Sequence, residues 1–224
     1  MELSSCDSIV ILSFAQEPEY PRLSRRVLAE LRDQFRAVQS AGCFDGLIIA
    51  ANAHSFAAGA DIDEVCRLSG VAAFEFARFG QAVFRELSQS RLPVVAAIRG
   101  FCLGGGLDLA LACHGRVATY NSSFGYPGAA LGVMTGWGGT GRLPRLVGRA
   151  AALQMLATGE RVPATQALTL GLVDELVSAA DLIPVAARAV RRIKPAAAVT
   201  ESTLLSRSGI PQSDIDNGLL ATDD

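Results

Sequence analysis

Two glycine-rich segments hold the residues whose types and spacing point to chemistry. Phe56-Ala57-Ala58-Gly59-Ala60-Asp61-Ile62 and Gly100-Phe101-Cys102-Leu103-Gly104-Gly105-Gly106-Leu107-Asp108 each follow a run rich in aliphatic and β-branched residues. Each therefore sits just beyond a strand end, and the second opens a helix. Glycines let the backbone approach a ligand closely, and a helix N-terminus leaves N–H groups unpaired and carries a partial positive charge. Two such loops side by side can present two amides to one oxygen atom. The same glycines also suit a tight turn with close helix packing, and the residues alone leave both readings open. A third segment, Gly136-Trp137-Gly138-Gly139-Thr140-Gly141, spells G-x-G-x-x-G. No clean hydrophobic strand precedes it and Pro144 interrupts the helix that should follow, so a dinucleotide site is not expected. Gly-Lys-Ser/Thr occurs nowhere in the chain, which removes a phosphate loop.

Other chemistries find little support. The five cysteines, Cys6, Cys43, Cys66, Cys102 and Cys113, are irregularly spaced, form no C-x-x-C, and are accompanied by only two histidines. No metal site or disulfide framework is expected, and each cysteine reads as a small buried hydrophobe in a reducing compartment. Lys194 is the one lysine and lies beside Pro195 in an Arg-rich stretch, a poor setting for an amine nucleophile. Lys+Arg 20 against Asp+Glu 22 gives a net charge of −2, too little field to gather a polyanion, so nucleic acid is not an expected partner. Hydrophobic residues make up 50% of the 224 positions and charged residues 19%, the balance of a folded globular chain. No apolar run approaches the ~20 residues that cross a bilayer, and the N-terminus lacks a basic lead-in. The expectation is a soluble, cytoplasmic protein with no membrane contact.

The elements that must position these loops are legible in outline. Ser8–Phe14, Gly46–Ala50 and Pro93–Ile98 read as buried strands, and Arg116–Thr119 and Leu172–Val177 as further ones. Between the first two strands, Val27, Leu28, Leu31, Phe35 and Val38 share one face of a helix that Ser24 can cap. Helices are also expected from about Val71 to Leu87, from Gly104 through Ala112, between Pro163 and Gly171, and from Asp181 to Arg192. Strands alternating with helices make the class α/β with crossover connections. After about Ser178 the character changes, and the polar stretch to Asp224 cannot form its own core, so it must pack on the main domain or on a neighbouring subunit.

Taken together, Ser55 to Ile62, Gly100 to Asp108, Phe124-Gly125-Tyr126-Pro127, Gly138-Gly139-Thr140-Gly141-Arg142-Leu143, Thr158-Gly159-Glu160-Arg161 and Ala167 to Val173 resemble the enoyl-CoA hydratase/isomerase family, the crotonases. The likeness covers about residues 8 to 180 with the motifs in order and register. It implies a spiral of ββα units over residues 1–180 and a shortened helical C-terminal extension over 181–224, assembled as a homotrimer or dimer of trimers. The substrate would be an acyl-CoA thioester, with coenzyme A part of the substrate and no separate cofactor or metal. By carry-over, the amides of Ala60 and Gly105 form an oxyanion hole for the thioester carbonyl. Ala58, Asp61, Ile62 and Asp63 line the coenzyme A segment, and Leu103 and Gly104 border the acyl pocket.

The departures from the family pattern are chemical. Its hydratases use two glutamates; here Asp108 stands at the first position and Gly128 at the second. Asp108 keeps a carboxylate with a shorter reach, though a carboxylate in a helix's first turn is favourable there without any chemistry. Gly128 removes the second acid/base, a loss that typically costs about 10²–10⁴-fold. Tyr126 is placed to offer a hydroxyl and Trp137 to wall the acyl site, while packing explains either. His54 reads as an inert loop residue and His114 as structural. Arg22 is available to a phosphate or simply solvated, and the chain stops before the family's final amphipathic helix, which implies a trimmed end or a more open site. The resemblance thus implies a hydratase or isomerase that uses Asp108, with a decarboxylase or a non-catalytic thioester-binding homologue as the alternatives.

Overall fold

The computed structural model describes residues 1–193. The polar strand β1 (Glu2–Cys6) lies at a sheet edge and pairs antiparallel with β2 (Ile9–Ser13). β2, β3 (Gly46–Ala50) and β4 (Val94–Ile98) are apolar almost throughout and buried along their length, as parallel strands covered on both faces must be. The chain then makes a short strand β5 (Phe101–Leu103) and returns to the sheet as β6 (Gly115–Thr119). β7 (Ser123–Gly125) and β8 (Val162–Pro163) join β5 in a small second sheet, and β9 (Glu175–Val177) completes the first. The orders are β1-β2-β3-β4-β6-β9 and β5-β7-β8.

Alternate residues of the large sheet feed two separate cores. Val10, Leu12, Leu47 and Ile49 face one side, where α1 (Arg25–Ala41), α3 (Gly70–Ser88) and α4 (Gly105–Ala112) pack. Between α1 and α3 lies the single turn α2 (Ile62–Val65). Helix α1 starts where expected, with the Ser24 hydroxyl accepting from the Val27 N–H at 3.2 Å, and buries Leu28, Leu31, Phe35 and Val38. A 3₁₀ turn (Pro127–Leu131) leads towards α5 (Gly139–Val147), α6 (Arg149–Thr158) and α7 (Ala164–Thr169). Ile9, Ile11, Ile48 and Val95 face the other side and meet α8 (Leu182–Arg192) through Leu182, Val185 and Val190. Each of those three burials is worth about 1.5–3 kcal/mol.

Two expectations need correction. Pro144 does not break the helix it sits in; α5 opens at Gly139 and carries the proline in its interior. The last strand is shorter than Leu172–Val177, because the Leu172 N–H closes α7 on the Ala167 carbonyl at 2.8 Å and regular pairing begins only at Glu175. The expected extension beyond residue 193 lies outside the described residues. Among the described residues no helix is long and apolar enough to cross a membrane, and no group of three or more His, Cys, Asp and Glu could hold a metal ion.

Candidate active site

The two glycine loops meet at the head of α4. The Ala57 N–H donates to the Phe101 carbonyl at 3.0 Å and the Leu103 N–H donates to the Ala57 carbonyl at 2.9 Å, a one-residue parallel bridge between the segments. A second bridge ties Leu23 to the same loop, through Leu23 N–H to the Gly59 carbonyl at 2.8 Å and Asp61 N–H to the Leu23 carbonyl at 3.3 Å. These bonds skip the Ala60 amide, which has no hydrogen-bond partner among the described residues. The Gly105 amide, first in α4, has none either, since the first turn of a helix lacks internal acceptors.

Close packing accounts for the same glycines. Gly104 has φ +50°, a region that favours glycine, and a Cβ there would lie 3.6 Å from the Gly59 Cα. A Cβ on Gly106 would come within 2.5 Å of the Ala57 carbonyl oxygen, and one on Gly105 would overlap the Trp137 indole. Small residues at all three positions let the loops touch.

Beside this junction opens a cavity of about 360 Å³. Ala58, Ala60, Ile62, Gly104, Gly105, Tyr126 and Gly128 line it, while α2, the link to α3, α3 itself, the 3₁₀ turn and the segment after it supply Val65, Leu68, Phe76, Leu131, Met134 and Trp137. Four of the residues singled out from sequence do not line it. Asp61 caps α2 by accepting from the Asp63 and Glu64 amides, Asp63 pairs with Arg22 at 3.1 Å on the surface, and Leu103 is in the interior. Asp108 is fully buried beneath the wall. A second cleft of about 650 Å³, between residues 14–24 and α1, is lined by charges of both signs, including Arg22, Arg26, Glu30 and Asp61.

Among the described residues no charged side chain lines the first cavity, and its only hydroxyls belong to Tyr126 and Thr135. Both donate to Asp108: Tyr126 OH to Oδ1 at 2.9 Å and Thr135 Oγ1 to Oδ2. The Trp137 N–H adds a third bond to Oδ2 at 3.1 Å. Burial pushes the Asp108 carboxyl above the usual range, against the pull of these donors and of the Arg142 charge. Burial and the neighbouring carboxylate push the Tyr126 phenol well above its ordinary value, so it stays protonated.

The segment that brings Thr135 and Trp137 to Asp108 has no regular structure, yet two consecutive carbonyls of it are held from outside. Gln81 of α3 donates to the Gly136 carbonyl at 2.8 Å, and the Arg142 guanidinium to the Trp137 carbonyl at 2.9 Å. The Trp137 indole packs edge-on between Phe76 and Phe84, at 5.2 and 5.7 Å between ring centres, so it is at once core and cavity wall. Thr135 escapes the sequence reading. The burial of Asp108 had a signal: Leu107, Leu109 and Leu111 surround it in a helix apolar all round, and all eight residues of α4 are buried. His54 is exposed, and His114 accepts the Val94 N–H on Nδ1 at 3.0 Å, a structural bond.

Comparison with known proteins gives this arrangement a context. A family model described as "Enoyl-CoA hydratase/isomerase" matches residues 7–207. The chain is 38% identical over 216 residues to a crotonyl-CoA hydratase from Syntrophomonas wolfei, covering 95% of this chain and 83% of that protein. Among solved structures it is similar to enoyl-CoA hydratase subunit I from Geobacillus kaustophilus, with TM-score 0.81 and 30% identity over 96% of this chain and 85% of that one. It is also similar to an enoyl-CoA hydratase from Bacillus anthracis, with TM-score 0.81 and 28% identity over 99% and 84% of the two chains.

Proposed function

The chain belongs to the enoyl-CoA hydratase/isomerase family, and from that premise we propose that it adds water to an enoyl-CoA thioester through an enolate held by the Ala60 and Gly105 amides. The observation that carries this reading is the junction of two loops at the head of α4, each with an N–H unpartnered among the described residues beside one apolar cavity. Addition of water at Cβ drives an electron pair onto the thioester oxygen. Two preorganised donors at that oxygen stabilise the developing charge, each worth about 10²–10³ in rate. The partial charge at the start of α4 acts in the same direction, and with the helix buried it is poorly screened.

Asp108 supplies the acid/base function. Among the described residues it is the one carboxylate bonded to groups on the cavity wall, and its raised proton affinity makes it the stronger base once ionised. Among the described residues the wall is apolar and carries no cation to hold a malonyl-type carboxylate, which favours a neutral enoyl chain over a decarboxylation substrate. The coenzyme A moiety is assigned to the Ala58–Asp63 segment and the cleft that Asp61 and Arg22 share. The same reading carries a homotrimer or dimer of trimers, a cytoplasmic setting, and no cofactor beyond the coenzyme A of the substrate.

The test is the mass of crotonyl-CoA after incubation with the protein. The expected result is a gain of one water that disappears in Asp108→Asn. An unchanged mass with the wild-type protein sinks the hydration reading, and 3-enoyl and malonyl-type thioesters then separate isomerisation from decarboxylation.

A further inference from the structure

Asp108 presents no exposed oxygen to the cavity. Tyr126 occupies Oδ1, Thr135 and the Trp137 amide occupy Oδ2, and the side chain has no exposed surface. A base must come within about 2.6–3.2 Å of the proton it takes, directly or through one intermediary. An intermediary is therefore needed, and among the described residues only two hydroxyls on the wall touch the carboxylate.

They are not equivalent. The Tyr126 ring is almost wholly buried, whereas Thr135 is half-buried on the open side of the irregular segment. With its proton committed to Asp108, the Thr135 oxygen keeps lone pairs free to accept from a group in the cavity. The segment that carries it is pinned immediately after Thr135, by Gln81 at the Gly136 carbonyl and by Arg142 at the Trp137 carbonyl, which limits how far the hydroxyl can move.

We infer that Thr135 is the proton relay of this enzyme, carrying protons between Asp108 and the reacting atoms in the cavity. The inference rests on the hydratase reading for its direction but not for its chemistry. In hydration, the water oxygen bonds to Cβ as one water proton passes to Thr135 Oγ1, and the Thr135 proton passes to Asp108 Oδ2. The electron pair of the double bond moves to the thioester oxygen, held by the Ala60 and Gly105 amides. The return runs the relay backwards: the Asp108 proton restores Thr135, the Thr135 proton goes to Cα, and the enolate collapses to the carbonyl. One water is added, and both residues regain their starting state. A single relay thus serves both ends of the reaction, as a site with Gly128 in place of a second carboxylate requires.

The same relay must exchange the Cα protons of a saturated thioester with solvent, whether or not water is added to an enoyl one. The experiment follows butyryl-CoA in D₂O by mass spectrometry with wild-type protein, Thr135→Val and Thr135→Ser, and measures butyryl-CoA binding by calorimetry for each. Exchange by the wild type, slowed about 10²–10⁴-fold in Thr135→Val with binding retained and within about tenfold of wild type in Thr135→Ser, is the expected result. Exchange at the wild-type rate in Thr135→Val, or none by the wild type, overturns the relay. Loss of exchange together with loss of binding assigns Thr135 to packing and overturns it too. Crotonyl-CoA run in parallel judges the other reading separately: a wild type that exchanges through Thr135 yet adds no water leaves the relay standing and removes hydration.

Discussion

The Trp137 indole lies where a Cβ on Gly105 would have to be. A methyl group at Gly105 can enter only if the indole leaves, and the indole is wedged edge-on between Phe76 and Phe84 while its backbone N–H holds Asp108. Gly105→Ala is expected to destabilise the protein by about 1–3 kcal/mol, the usual cost of overpacking a filled core, and to reduce turnover by moving the second amide donor. Urea unfolding midpoints check the first effect. A midpoint equal to that of the wild type would mean the indole moves freely.

Asp108→Asn removes a buried charge and also turns one amide nitrogen towards donors that need an acceptor. The loss at neutral pH is expected to be about 1–3 kcal/mol, set by a donor left without its partner. Its pH dependence has a definite direction. Because the folded-state pKa is raised, the folded protein holds the Asp108 proton more tightly than the unfolded chain. That contribution is complete below the unfolded value of about 3.9 and is lost as pH rises through the folded value. The wild type should therefore gain stability relative to Asp108→Asn as the pH falls from 7 into the acidic range. Parallel unfolding curves at several pH values measure the difference, and a constant gap would contradict the raised pKa.

His114 runs the other way. Burial lowers its pKa, and its Nδ1 lone pair already accepts the Val94 N–H. The folded state binds this proton less well than the unfolded chain, so its contribution is full above about pH 6.5 and falls away as the pH drops below that value. Replacing His114 with Asn, which can still offer an acceptor, is expected to flatten the decline in stability between pH 7 and 5. Equal slopes for the two proteins would remove His114 as the source.

Four of the cysteines divide by burial. Cys43 and Cys66 are exposed, against the expectation that each is interior, whereas Cys102 and Cys113 are buried, with Cys113 pushed up to about 12 by burial. The thiolate is the reactive form. Iodoacetamide at pH 8 should modify Cys43 and Cys66 in the folded protein and reach Cys102 and Cys113 only after denaturation. Peptide mass mapping reads the result, and rapid labelling of Cys113 in the native protein would refute its burial.

The large sheet and its helices were legible because burial on two faces leaves a plain trace in sequence: Ile9 to Leu12, Leu47 to Ile49 and Val94 to Ile98 are apolar without interruption. The second sheet was not, because strands of three, three and two residues leave no periodicity to read. In the site, the glycine motifs placed two loops just beyond strand ends, and the family resemblance, not the motifs themselves, singled out Ala60 and Gly105. The surroundings of Asp108 did not follow. A carboxylate in a first helical turn is ordinarily solvated, and only the fold brings Thr135 back from 27 positions along the chain to meet it. A contact made by an irregular segment leaves no pattern at either end.

Trp137 is the chain's only tryptophan, and it stands in the cavity wall with its amide on Asp108. The protein therefore carries an intrinsic fluorophore at its site. Emission excited at the indole band reports one place alone, with no background from other indoles. An acyl chain entering the cavity displaces water from the ring and shifts the spectrum to the blue, so thioester affinity can be titrated without a labelled ligand. The same signal moves to the red when the 135–137 segment lifts away from α4, which lets one cuvette distinguish occupancy from local opening.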